Sequence, residues 1–309
     1  MKIEIKKILV TGSSGTIGTA LCEALMEEGY EVDGIDIKHN KWNEKVDRIT
    51  TISDLRDKTF FNKLPTDFDL IVHLAANARV FNLVKNPTLA RDNFEILFNV
   101  LEFSRLNNIR RFIFASSREV YGNSEKIVHH EDEAYVKNCE SPYTATKIGG
   151  EALVHAYHQC YDIDFVILRF SNVYGKYDDS DRVIPLFIKR AMQKEDLIVF
   201  GKDKLLDFTY IDDCVNGIMS SIENFDAVKN NTFNIASGKG ITILDLAKII
   251  QNKMGSKGKI IIKESRTGEV TKFVADISRA RKRLNYEPKV SIEEGVEKAI
   301  TWYENAIEG

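Results

Sequence analysis

The chain has 309 residues, 43% of them hydrophobic and 29% charged, with a formal net charge of −3. That length holds one large domain or two modest ones, each with its own core, and the slightly acidic balance argues against a nucleic-acid footprint. No apolar run approaches the ~20 residues of a membrane helix, and the first residues lack the apolar stretch and small-residue cleavage site of a signal peptide, so a cytoplasmic protein is expected.

In chain order, "IKKILVTG" predicts a strand and Thr16 to Glu28 a helix with Ile17, Leu21 and Leu25 on one face. Strands "EVDGIDI", "RITTIS" and "DLIVHLAA" follow, then a helix at Thr88 to Asn107, the strand "RRFIFASS", a helix from Pro142 and the strand "FVILRFSN". Apolar strands alternating with helices predict an α/β fold with a doubly wound parallel sheet covered on both faces. The second half is less regular. A charged loop (Lys176 to Arg182) precedes a helix at Val183 to Lys194, then "LIVFG", "LLDFTYIDD", a short helix and "FNIASG". A helix at Leu244 to Met254, the strand "KIIIKES" and a closing helix at Ile292 to Ala306 complete it. The pattern change near Ser171 divides residues 1–171 from a smaller α/β lobe at 172–309, with the chain expected to return to the first part around 207–236. Cys22, Cys139, Cys160 and Cys214 form no CxxC pair, which suits a reducing compartment.

"VTGSSGTIG" puts Gly12, Gly15 and Gly18 between the first strand and the first helix. Glycines there allow a tight turn, close approach of backbone to a pyrophosphate and close helix packing, while the helix N-terminus supplies N–H groups. Asp36, at the end of "EVDGID", is placed to bind the adenosine ribose hydroxyls and to repel a 2′-phosphate, which favours NAD over NADP. Lys38 and His39 follow it and keep NADP open.

In "SPYTATKIGGEAL", Ser141 is a candidate N-cap and Pro142 sits at the first helical position. Tyr143 and Lys147 then lie one turn apart on one face. A phenol of ordinary pKa ~10 is a poor base at neutral pH, and a nearby ammonium brings it toward working range.

Taken with the glycine turn, "HLAA" (73–76), "SSREVYG" (116–122), "YTATK", "RFSNVYG" and "RTGEV", this set resembles the extended short-chain dehydrogenase/reductase family, the nucleotide-sugar epimerases and dehydratases. The resemblance implies a Rossmann-type domain and bound NAD, with cofactor contacts from Gly12, Gly15, Thr16, Ile17, Asp36, Asp54, Leu55, Leu74, Ala75, Ala76, Asn93 and Ser116 beside Tyr143 and Lys147. It implies Tyr143 as catalytic base and acid, Lys147 as the group that tunes it, and Ser117 as the hydroxyl that binds the reacting sugar alcohol. Asn172 and Arg266 correspond to the grip on the nucleotide diphosphate. The implied reaction oxidises C4 of a nucleotide sugar transiently and returns the hydride to the other face. Relatives pair the helices matching 88–107 and 142–161, so a homodimer is expected.

Glu119 and Arg118 depart from the family's patterns. Family 4,6-dehydratases carry Asp-Glu at these positions, an acid and a base. Glu119 is available to remove a C5 proton, but the guanidinium of Arg118 cannot protonate a leaving hydroxyl at neutral pH, which favours a UDP-hexose 4-epimerase. Three readings stay open: Glu119 serving a 4,6-dehydratase or decarboxylase, Arg118 binding the carboxylate of a UDP-uronate, and an ion pair that leaves both structural. A catalytically idle NAD-binding regulator is the alternative from another class. Leu206 stands where many relatives carry an Arg that contacts the diphosphate, and Lys204 is the nearby cation. "HHEDE" (129–133) offers adjacent ligand types that rarely converge on one ion, so no metal is expected.

Overall fold

The structure, a computed structural model, describes residues 4–265 and 270–308. Its strands are β1 (Lys7–Thr11), β2 (Glu31–Asp36), β3 (Thr50–Ile52), β4 (Leu70–His73), β5 (Arg111–Ser117), β6 (Val128–His129), β7 (Asp164–Phe170), β8 (Asn172–Tyr174), β9 (Leu197–Phe200), β10 (Leu205–Tyr210), β11 (Asn231–Ile235), β12 (Gly240–Thr242), β13 (Ile260–Lys263) and β14 (Lys272–Ala275). The helices are α1 (Thr16–Glu27), α2 (Glu44–Ile49), α3 (Val80–Lys85), α4 (Thr88–Leu106), α5 (Pro142–Tyr161), α6 (Val183–Met192), α7 (Ile211–Glu223), α8 (Phe225–Val228), α9 (Ile243–Lys253), α10 (Ser278–Leu284) and α11 (Ile292–Glu308).

Seven strands form one sheet in the order β11-β7-β5-β4-β1-β2-β3, and every neighbouring pair is parallel. Its central strands are buried on both faces: Ile8, Leu9 and Val10 of β1 and Leu70, Ile71 and Val72 of β4 are all 0% exposed. Alternation sends Ile8, Val10 and Val72 into a core shared with α1 and α7, and Leu9 and Ile71 into one shared with α4 and α5. Each such side chain contributes ~1.5–3 kcal/mol through burial. The strand order reverses between β1 and β4. Ligands of such sheets bind outside the carboxyl ends of the strands at that switch point, where Gly12, Leu74 and Ser117 emerge.

A second sheet has the order β12-β10-β14-β6, with β8 also pairing with β10, and β13 pairs with β9. The strands β6, β8, β12 and β14 carry no separate signal in the sequence, because each has only two to four residues. Buried Asp207 ties this sheet to the end of β11: its carboxylate accepts from Ser237 N (3.0 Å), Ser237 Oγ (2.7 Å), Gly238 N (2.9 Å) and Ala275 N (3.3 Å). The short helix expected after "LLDFTYIDD" is the 13-residue α7. Ile211, Cys214, Val215, Ile218 and Ile222 give it a buried face against the sheet.

Candidate active site

At the start of α5 the Ser141 hydroxyl accepts from Thr144 N at 3.1 Å, and Pro142 occupies the first turn. This start fixes the phase of the helix so that Tyr143 and Lys147 both face inward, 7% and 6% exposed. Lys147 Nζ donates to Ala115 O at 2.7 Å and lies 5.7 Å from the centre of the Tyr143 ring. Ser117 and Tyr143 line the same cavity. Burial holds the phenol above its ordinary pKa, while the charge of Arg182, the Ser117 hydroxyl and the charge of Arg118 favour the phenolate, and Glu119 opposes it. Arg182, at the start of α6, thus joins Lys147, the residue expected from sequence, as a cation near the phenol. Burial lowers Lys147 itself to about 8, and the charge of Glu151 counters that fall.

The glycine turn lies across the same cleft. Gly12 has φ +77°, and a Cβ there would stand 2.8 Å from Ala75 N; one on Gly18 would stand 2.0 Å from Gly12 O. Neither position can carry a side chain without moving backbone. Gly15 is the N-cap of α1, and no side chain caps the helix, so the positive end of α1 faces the cavity. Ser14 Oγ is buried beside it without a partner. Asp36 accepts from Ser14 N at 3.0 Å and Lys38 N at 3.2 Å, which pins the glycine loop to the end of β2.

Arg118 and Glu119 form an ion pair at 2.8 Å, with side chains 11% and 7% exposed. Arg118 Nε donates to Asn172 Oδ1 at 3.2 Å, and Asn172 Nδ2 donates to Asp207 O at 2.8 Å. One nitrogen of Arg118 and one oxygen of Glu119 are buried without a partner. The pair is therefore half satisfied, beside Ser117 and Tyr143 in one cavity of about 650 Å³.

Residues 8–236 match the model of the NAD dependent epimerase/dehydratase family. The chain belongs to that family. A putative UDP-glucose 4-epimerase of Methanocaldococcus jannaschii is 33% identical over 96% of this chain and 98% of its own. A UDP-glucuronate 4-epimerase of Thermodesulfobacterium geofontis is 31% identical over 97% of each chain. The crystal structure of a Bacillus cereus UDP-glucuronic acid 4-epimerase, in complex with UDP-glucuronic acid and NAD, superposes with a TM-score of 0.89 at 30% identity, covering 97% of this chain and 99% of that one.

As a member of an NAD-dependent family, the chain offers a cleft that fits the dinucleotide: two glycines too crowded for a Cβ, an uncapped helix N-terminus and the orphaned Ser14 hydroxyl suit a pyrophosphate. Of the residues expected from sequence, Gly12, Gly15, Thr16, Ile17, Leu74, Ala76, Ser116, Ser117, Arg118, Glu119, Tyr143, Lys147 and Asn172 line the cavity. Asp36, Asp54, Leu55, Ala75 and Asn93 are not part of that lining. Asp54 is held by Arg56, whose Nη2 lies 2.6 Å away, Leu55 is in the core at 4% exposure, and Ala75 packs on Gly12. Asn93 accepts from Asn77 N at 2.7 Å and donates to Asn77 O at 3.1 Å, shaping the loop after β4. Arg266 lies outside the described residues. Leu206 and Lys204 both line the cavity, 6% and 8% exposed.

The "HHEDE" side chains diverge: His129 clusters with the Tyr121 and Phe273 rings, His130 pairs with Asp276 at 2.9 Å, and Asp132 pairs with Arg279 at 2.7 Å. Among the described residues no group of three His, Cys, Asp or Glu could hold a metal ion. Ser14, Arg79 and Arg182 also line the cavity, and reasoning from sequence passed over them. Arg79 and Asp181 pair across the cleft. For Ser14 the glycine turn itself was the available signal; for the arginines there was none, since a charged loop reads as solvated.

Proposed function

We propose that the protein epimerises a nucleotide sugar, a UDP-hexose in the first instance, at C4 through a transient 4-keto sugar. The observation that carries this reading is the buried pair Tyr143 and Lys147 with Ser117 in one cavity lining, beside an arginine where an eliminating enzyme needs an acid. Bound NAD supplies the acceptor that takes the C4 hydride and gives it back. Tyr143 takes the C4 hydroxyl proton, and Ser117 orients that hydroxyl. Arg182 and Arg118 favour the phenolate against the burial that opposes it. Lys147 would present its charge to the nicotinamide ribose, and Asp36 would hold the adenosine ribose hydroxyls. Binding energy from the nucleotide, with Asn172 among its contacts, holds the diphosphate while the sugar ring turns.

A second reading, a UDP-uronate as substrate, is favoured by the orphaned nitrogen of Arg118 and by Arg182 in the same cavity. Uronate epimerases among the relatives support it. In either case the ion pair occupies one oxygen of Glu119, which argues against its use as the base of a dehydratase or decarboxylase. We assign the dinucleotide to residues 1–171, with the return at 207–236, and the sugar nucleotide mainly to 172–309. The exposed Phe94, Phe98 and Tyr161 on α4 and α5 support a homodimer through these helices. Four free cysteines, two of them exposed, support a cytoplasmic location.

The test is incubation of the purified protein with UDP-, dTDP-, GDP- and CDP-sugars followed by mass spectrometry. An isomer of unchanged mass is expected from a UDP-hexose or UDP-uronate. Loss of water or carbon dioxide would transfer the assignment to the dehydratase or decarboxylase, and NAD binding without any turnover would end the enzymatic reading.

A further inference from the structure

Lys147 must be an ammonium to present charge to a ribose, yet it is 6% exposed and burial brings its pKa down to about 8. The charged and titratable groups around it come from several elements. His73 of β4 is kept neutral, pushed down to about 3 by burial and by the lysine's own charge. Tyr143 lies on the same helix, Arg118 and Glu119 follow β5, and Arg169 comes from β7. The Phe114 ring lies 5.1 Å from Nζ. Glu119 is paired with Arg118, and the acid whose charge counters the fall is Glu151.

Glu151 is one turn beyond Lys147 on α5. Lys147 Nζ donates to Ala115 O at 2.7 Å, and Ser116 Oγ donates to Glu151 Oε1 at 2.5 Å. The two side chains therefore grip consecutive residues of β5, directly before Ser117. From the other side Arg169 clamps Glu151 through two parallel bonds, Nε to Oε1 at 2.9 Å and Nη2 to Oε2 at 2.7 Å. The remaining nitrogen of Arg169 donates to Tyr121 Oη at 3.1 Å and Glu131 O at 2.6 Å. With its guanidinium occupied on both sides, Arg169 holds the carboxylate in one place. A buried ion pair is by itself a poor source of stability, so its position at this helix turn calls for another use.

We propose that Glu151 is a positioning residue of the epimerase site: clamped by Arg169 and bonded to Ser116, its carboxylate registers the end of β5 that carries Ser117 and sets the charge one helical turn from Lys147. The readout by turnover rests on the reading given above; the readout by NAD affinity does not depend on the sugar chemistry.

Glu151→Gln keeps the shape and removes the charge. Without that charge Lys147 loses its proton at lower pH, so the basic limb of the kcat profile moves to lower pH. The ratio of kcat at about pH 8 to kcat at about pH 6.5 falls roughly threefold or more, with KM for the sugar nucleotide little changed. A purely structural role predicts a uniform loss with the limb in place, and that result overturns the proposal. If the wild type turns over no nucleotide sugar, the epimerase reading fails on its own account and the same comparison is made by NAD titration. Weakening by Glu151→Gln that is larger at the higher pH supports the proposal, and equal weakening at both overturns it. If Glu151→Gln does not fold, Glu151→Asp, which withdraws the charge by one methylene, is expected to shift the limb by less; a wild-type limb in that variant also overturns it.

Discussion

The wall of the cavity built by β1, β4 and β5 consists of strand ends and helix N-termini, whereas the facing wall, from residue 172 onward, consists of side chains on loops and short strands. On the first wall the shape is set by backbone: Gly12 at φ +77°, Gly18 against Gly12 O, and the uncapped α1. On the second, Arg182, Lys204 and Leu206 are single side chains, and the ion pair of Arg79 with Asp181 joins the two walls. A backbone cradle tolerates almost no variation, while a side-chain wall changes its ligand with one substitution. That difference accounts for a family with a common cofactor and varied sugars.

Three experiments sharpen or break this contrast. The largest effect is expected on the backbone-built wall, where Tyr143→Phe removes the acid-base group and leaves the helix intact. Its kcat falls about 10²–10⁴-fold while NAD affinity and the circular dichroism spectrum hold; turnover at the parent rate would refute the assigned base.

Next comes the half-satisfied pair between the walls. Arg118→Leu or Glu119→Leu alone strands a buried charge and lowers stability by about 3–5 kcal/mol in urea unfolding. The double substitution is expected to recover much of that loss. Additive losses would show that the two side chains are not coupled.

The smallest step, about 1.4 kcal/mol for each pH unit, is a pH dependence on the sheet side. His73 is 2% exposed, hydrogen-bonded to Thr11 Oγ1 at 2.8 Å and stacked on Phe114, and burial depresses its pKa from 6.5 to about 3. The unfolded chain therefore takes up this proton first. The contribution of His73 to stability is whole above the unfolded value of 6.5 and declines by about 1.4 kcal/mol per pH unit as the pH falls toward 3. His73→Asn is expected to flatten that slope between these limits; an unchanged slope would assign acid sensitivity to other groups.

The strands of the large sheet through residue 170, with α1, α4 and α5 between them, were legible because a parallel sheet buries both faces, which leaves continuous apolar runs such as "KILV" and "LIVH" between helical periods. The same held for α5, since Ser141 and Pro142 mark its start and so set the facing of Tyr143 and Lys147. The short strands of the second sheet were not legible, because β6, β8, β12 and β14 are too short to show a period and exist through their pairing. The fate of Arg118 and Glu119 was also beyond the sequence: as neighbours they could diverge or pair, and packing against Asn172 and Phe273 decided that they pair.

What the sequence by itself determined is the dinucleotide cradle and the placing of a phenol and an ammonium one helical turn apart, since both follow from local backbone geometry. The tertiary structure alone decided which charges face that phenol. Arg182 arrives from α6 and Glu151 is clamped by Arg169 of β7, and electrostatic interaction depends on distance in space and on burial, neither of which is written in the spacing of residues along a chain.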